Sequence, residues 1–348
     1  MRSYFANLTD SQKALAIQRL TALWAFSESG LGGIMHALQL PVTGLIVGGI
    51  SMIMITFIAE LSSNNYSVIF KSLFIVLIVK AAVSPYTPVT AYFAVSFQAA
   101  AGFIFYKLMG IRFTSIVLAG VVTMLESAVQ HLLVLTLLFG QSFWKATDAF
   151  TSFVGRQFNL NSTNGTQWLV GIYLMIYAIT GVCVAWLTWR MMNDQRSFET
   201  NIEPSIAPPL GENKKKAQKN LWVSILILLA ISIALAFIPS SSKYNWLAVI
   251  KALCWTLSVI CIWFMIIQPL LTSLIKRFLL KKEKYYHQEV SQTLLFLPVL
   301  RQLASSAWQR SKSQQRGNRW YVFVNMLIQS ALVYNENSSI SHESEHKA

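Results

Sequence analysis

From residue 42 to 61 the chain is apolar with hardly a break, and comparable blocks follow at 66–83, 88–106, 113–139, 166–189, 221–238 and 246–270. Polar clusters separate them: "SSNNY", "SPYTP", "NLNSTNGT" and the Pro-rich "NIEPSIAPPLGEN". Leu40 to Ile58 carries no charged side chain, and neither does Trp168 to Trp189. As a helix the second stretch is about 33 Å long, enough to cross hydrocarbon about 30 Å thick. The pattern predicts an all-α polytopic membrane bundle.

The number of spans follows from where the charges fall. Arg190, Arg196, Lys214, Lys215, Lys216 and Lys219 lie in the stretch 190–220, which marks it as cytoplasmic. Working back through the blocks makes 140–165 an external loop, puts "SPYTP" outside and the turn holding Lys107 and Arg112 inside. An inside N-terminus then requires one more span at 14–38, despite Arg19, Glu28 and three glycines. The expectation is about eight spans. A six-span module occupies 1–189, a cytoplasmic linker 190–220, a two-span hairpin 221–275, and basic amphipathic helices with a polar tail 276–348. Pro298 is expected to interrupt or kink any helix in that last region.

Composition supports this reading. Hydrophobic residues make up 54 %, charged residues 12 %, and mean hydropathy is +0.49, against about 25 % charged residues in a soluble domain. The net charge of +14 is concentrated after the last block, as expected for a cytoplasmic flank that meets anionic lipid rather than nucleic acid. Cys183, Cys254 and Cys261 sit in apolar runs without disulfide or metal spacing. The polar start, Met1 to Lys13, does not read as a cleavable signal peptide. Both termini are expected in the cytoplasm of a multi-pass protein of a cell inner membrane.

The candidate chemistry lies in the first module. Ala25, Ser29, Gly33 and Ala37 recur every four residues and form a small-residue stripe, fit for packing within the module or for docking a partner. In "SPYTPVTAYFAVSFQ", the prolines fix a helix start after Pro88 that leaves Thr87, Thr90 and the Tyr86 ring near its outer end, a rim for a small polar-aromatic ligand. Glu126 falls near the middle of block 113–139, where an exposed acid costs about 2.5–3.5 kcal/mol. It must face a cavity, meet a partner or stay protonated; ligand recognition, structural contact and proton coupling all remain open. His36, Lys80 and Gln98 are its possible partners, and Lys80 is also able to snorkel outward. His131 stands away from Glu126 around the helix. Glu28, Glu60 and Lys71 are less telling. No catalytic, phosphate-loop or metal signature is present, so neither an enzyme nor a cofactor or metal is expected.

The stretches "ALWAFSESGLGGIMHA", "LPVTGLIVGG" and "SPYTPVTAYFAVSFQ" make residues 14–189 resemble the substrate-binding components of energy-coupling-factor vitamin transporters. The resemblance implies capture of a vitamin-like or precursor molecule from outside, with release driven by a separate membrane scaffold and ATPases. It also implies a docking face at Ala25, Ser29 and Gly33. "SQQRGNRW" is similar to the ATPase-contacting segment of the same family's scaffold, which implies partner contact at Arg316. The expected function is therefore uptake of a small molecule held by Tyr86, Thr87, Gln98, Glu126 and His131. A non-catalytic assembly scaffold and an intramembrane enzyme acting on a lipid-linked substrate are the alternatives.

Overall fold

In the computed structural model, the described residues are 1–37, 43–84, 87–157, 165–194, 257–258, 262–312 and 319–334. They are helical throughout, with short turns: α1 (Arg2–Ala6), α2 (Asp10–Phe26), a π-helical turn (Ser27–Leu31), α3 (Gly32–Ala37), α4 (Thr43–Leu61), α5 (Val68–Val83), α6 (Val89–Met109), α7 (Phe113–Gln157), α8 (Gly165–Asn193), α9 (Gln268–Ser311) and α10 (Arg319–Val333). A second π-helical turn, Trp263–Ile267, leads into α9.

Four of these helices are long and apolar enough to cross a membrane: α4, α6, the first part of α7 (Phe113–Leu137) and α8. The expectation of about eight spans is thereby corrected to four candidates among the described residues. Helix α5 has only 16 residues and carries Lys71 and Lys80. Helix α2 has 17 and carries Asp10, Lys13 and Arg19. Helix α2 packs with α9 and α10, and α5 with α9, in a helical bundle whose members are too short or too charged to qualify as spans. The expected linker, from residue 195 on, block 221–238 and most of block 246–270 lie outside the described residues.

A shared apolar core joins the helices, and inter-helix hydrogen bonds and close backbone approach add to it where lipid would give spans little hydrophobic reason to associate. Thr56 of α4 and Tyr106 of α6 share a buried hydroxyl contact of 2.6 Å, and Thr21 of α2 donates to Ser72 of α5 at 2.8 Å. Gly120 of α7 and Gly181 of α8 let two backbones meet: a Cβ on Gly181 would lie 2.7 Å from the Val121 Cα. At the opposite end from the cavity described below, Arg2 pairs with Glu60 at 2.8 Å, donates to the Ile111 carbonyl at 3.0 Å and lies over the Trp189 ring.

Two local expectations are revised. The stretch 140–165 is not a simple loop: α7 continues to Gln157, bending at Gly140, whose φ of 60° is one that glycine adopts without strain. Helix α9 runs through Pro298, and its break falls at Tyr286 (φ −108°, ψ 20°). There the Tyr286 ring stacks on Phe74 of α5.

Helix α9 is fastened to α5 by Lys71–Glu289 at 2.8 Å, with Lys282 over the Phe74 ring. The hydrogen bond from Lys71 holds the Glu289 carboxyl below its ordinary value of 4.5. A depressed carboxyl contributes stability above the unfolded-state value, and that contribution is lost as pH falls through the folded one. Docking of α9 is therefore expected to loosen below about pH 4.5, with a Lys71→Met variant losing that acid dependence. Hydrogen exchange along α9 as a function of pH checks both.

Candidate functional site

A cavity of about 120 Å³ opens between α4, α6 and α7 at the end of the bundle that holds Thr43, Thr90 and His131. Its floor reaches Gln98, nine residues into α6 and so about 14 Å along the helix axis. Glu28 and Lys80 form one wall, Gly44, Val47 and Gly48 another, and Ser127, Gln130 and His131 a third.

The central feature is an enclosed ion pair. Lys80 is 1 % exposed and Glu28 2 %, and the Lys80 Nζ donates to Glu28 Oε2 at 2.5 Å. The other carboxylate oxygen, Oε1, accepts from the Ser51 hydroxyl at 2.5 Å. An unpaired charge at this depth costs several kcal/mol, so each ion holds the other in place. Glu28 reaches its position on a helix that changes pitch. The Gly32 N–H bonds to the Ser27 carbonyl in π-helical register, which inserts one residue and rotates the following turn. The hydroxyls of Ser27 and Ser29 bond back to the carbonyls of Trp24 and Ala25, engaging backbone groups that the changed pitch leaves partly free.

The remaining walls are polar and locally fixed. Gln130 Nε2 donates to the Thr90 carbonyl at 3.0 Å, tying α7 to the first turn of α6. His131 lies at the mouth with Nδ1 2.8 Å from the Ser127 carbonyl. A carbonyl can only accept, so Nδ1 carries the proton and Nε2 is left for the cavity. Gln98 is 3 % exposed, and its Oε1 meets no donor among the described residues. Gly48 makes room for it: a Cβ there would lie 3.1 Å from Gln98 Nε2.

Of the residues singled out from sequence, Gln98 and His131 line the cavity. Thr87 is buried with its hydroxyl 2.9 Å from the Ser84 carbonyl, where it braces the turn into α6. Tyr86 and Arg316 lie outside the described residues. Glu126 does not line the cavity; its carboxylate oxygens are enclosed and meet no hydrogen-bonding partner among the described residues. Neighbouring Ser127 lines the wall instead, because one residue turns a helix by about 100°. The acid facing the chamber is Glu28. Lys80 does not snorkel outward but turns inward to meet it. Ala25 and Ser29 of the small-residue stripe are buried against the chain's own helices, and Gly33 lies close to Ser84. The sequence carried a signal for the missed pair: two opposite charges, Glu28 within the stretch 14–38 and Lys80 in the last turn of block 66–83, both toward the end of the bundle where the cavity opens. Among the described residues no three His, Cys, Asp or Glu side chains gather as a metal site would require.

The chain is thus an all-α protein in which several long apolar candidate membrane-spanning helices pack against a distinct C-terminal helical region. Comparison with protein-family models, curated proteins and solved structures finds no match.

Proposed function

We propose that this chain is a membrane uptake component that receives a small polar molecule in the cavity between α4, α6 and α7 and passes it on without converting it. The observation that supports this most is the Glu28–Lys80 pair beside an open polar chamber. A pair serving only to join helices needs no adjoining cavity lined by Gln98, Ser127, Gln130 and His131. The chamber volume, about 120 Å³, is smaller than the roughly 300–1,000 Å³ of pockets for drug-sized ligands. That favours a precursor-sized molecule over a larger vitamin.

The resemblance to energy-coupling-factor substrate-binding components points the same way. It supplies the further elements of the proposal: a separate membrane scaffold with ATPase subunits as the energy source, and Arg316 as a contact. In this reading the protein is multi-pass in a cell inner membrane with cytoplasmic termini, the cavity opens outward, and the basic C-terminal region rests on anionic lipid. An assembly scaffold gives the chamber no comparable role.

Native mass spectrometry of the protein gently extracted from its membrane tests the proposal. A retained small molecule is expected, and Ala94→Leu, which projects a larger side chain into the cavity, is expected to abolish retention. Retention unchanged by that substitution, or no bound molecule in the parent chain, would remove the cavity from any uptake role.

A further inference from the structure

The polar groups lining the cavity differ in what they still lack, and this narrows the ligand. Glu28 has both carboxylate oxygens engaged, one accepting from Ser51 and the other from Lys80. Lys80 and Glu28 cancel in charge, so the wall they form is neutral overall. The Lys80 ammonium carries three donors, and one is used on Glu28. The other two make no hydrogen bond among the described residues, although the side chain is 1 % exposed and borders the cavity. Gln98 shows the opposite need, because its enclosed Oε1 has no donor.

From these unmet needs we propose that the cavity takes a small uncharged molecule bearing a carbonyl and an N–H side by side: a primary amide, a lactam or a cyclic urea. The inference rests on the uptake reading for the presence of a ligand and adds its chemical class. The ligand carbonyl accepts from Lys80, and the adjacent N–H donates to Gln98 Oε1. A carboxylate would satisfy Lys80 but leave Gln98 Oε1 without a donor. It would also bring a net negative charge into a site whose cation is already neutralised. An ammonium would satisfy Gln98 but bring a second cation beside Lys80, with the single Glu28 charge already balanced. In a low-dielectric site either uncompensated charge weakens binding severely. An amide edge meets both needs without adding charge.

Three probes of one shape separate these cases: benzamide, benzoate and benzylamine, titrated calorimetrically at pH 7 into the full chain in lipid nanodiscs, with empty nanodiscs as the blank. Benzamide is expected to bind at least tenfold more tightly than either ion. Gln98→Leu should remove that preference, and Ala94→Leu should remove binding altogether. Because Gln98 Oε1 has no partner to lose, the Leu variant should keep the parent unfolding midpoint. Equal or tighter binding of benzoate or benzylamine, a benzamide preference that survives Gln98→Leu, or binding by none of the three would overturn the inference. If an ion binds and Ala94→Leu blocks it, the ligand class falls while the uptake reading stands. If no probe binds and native mass spectrometry also shows nothing retained, both fall.

Discussion

Replacing Lys80 with methionine is expected to destabilise the protein by about 3–5 kcal/mol, the usual cost of leaving one member of a buried ion pair without its partner. Glu28 would remain enclosed with its Oε2 facing no cation. Glu28→Gln alone should cost a comparable amount, because it strands the Lys80 ammonium, which is 1 % exposed. The double variant Glu28→Gln/Lys80→Met removes both charges and is expected to recover most of the loss, since pairs of this kind are often replaceable together at little net cost. Unfolding of the four proteins in one detergent completes the cycle, with a coupling energy of at least about 1 kcal/mol expected for groups in contact. Additive losses would mean that the two side chains do not meet.

The second large effect is expected where α7 and α8 approach most closely. Gly181→Ala places a Cβ 2.7 Å from the Val121 Cα and 2.8 Å from the Gly120 carbonyl oxygen. These are backbone atoms, so they cannot swing aside as the end of a flexible side chain would. The helices must separate, at about 1–3 kcal/mol. Gly171, on the same helix, has nothing within 4 Å of the equivalent position. Gly171→Ala should therefore stabilise the helix by about 0.5–1 kcal/mol through backbone entropy. Opposite signs for the same substitution on one helix, read as shifts in unfolding midpoint, would confirm that the Gly181 effect is steric.

Helix positions were the most legible part of the sequence. The apolar blocks at 42–61, 88–106 and 166–189 overlie α4, α6 and α8 closely, because long runs without charge have few ways to hide their backbone. Crossing capacity was harder to read. Block 66–83 looks like a span by composition, but helix α5 inside it is 16 residues long and carries a buried lysine. Polar residues in apolar helices, Gln98 and His131 among them, stood out as candidates because each needs a reason to be there. Which of them share a chamber depends on helix rotation, and periodicity does not fix that across separate helices. Glu126 and Ser127 differ by one position, and only Ser127 faces the chamber. Glu28 was harder still, since a π-helical turn shifts the register that a regular helix would predict for it.

Cysteine accessibility tests the chamber most directly. With Cys183, Cys254 and Cys261 replaced by serine, a cysteine at Ser127 is expected to react readily with a small hydrophilic thiol reagent and to be blocked by Ala94→Leu. A cysteine at Glu126 should react slowly or not at all. Fast labelling at 126 with none at 127 would contradict a water-reachable chamber bordered by Glu28 and Lys80.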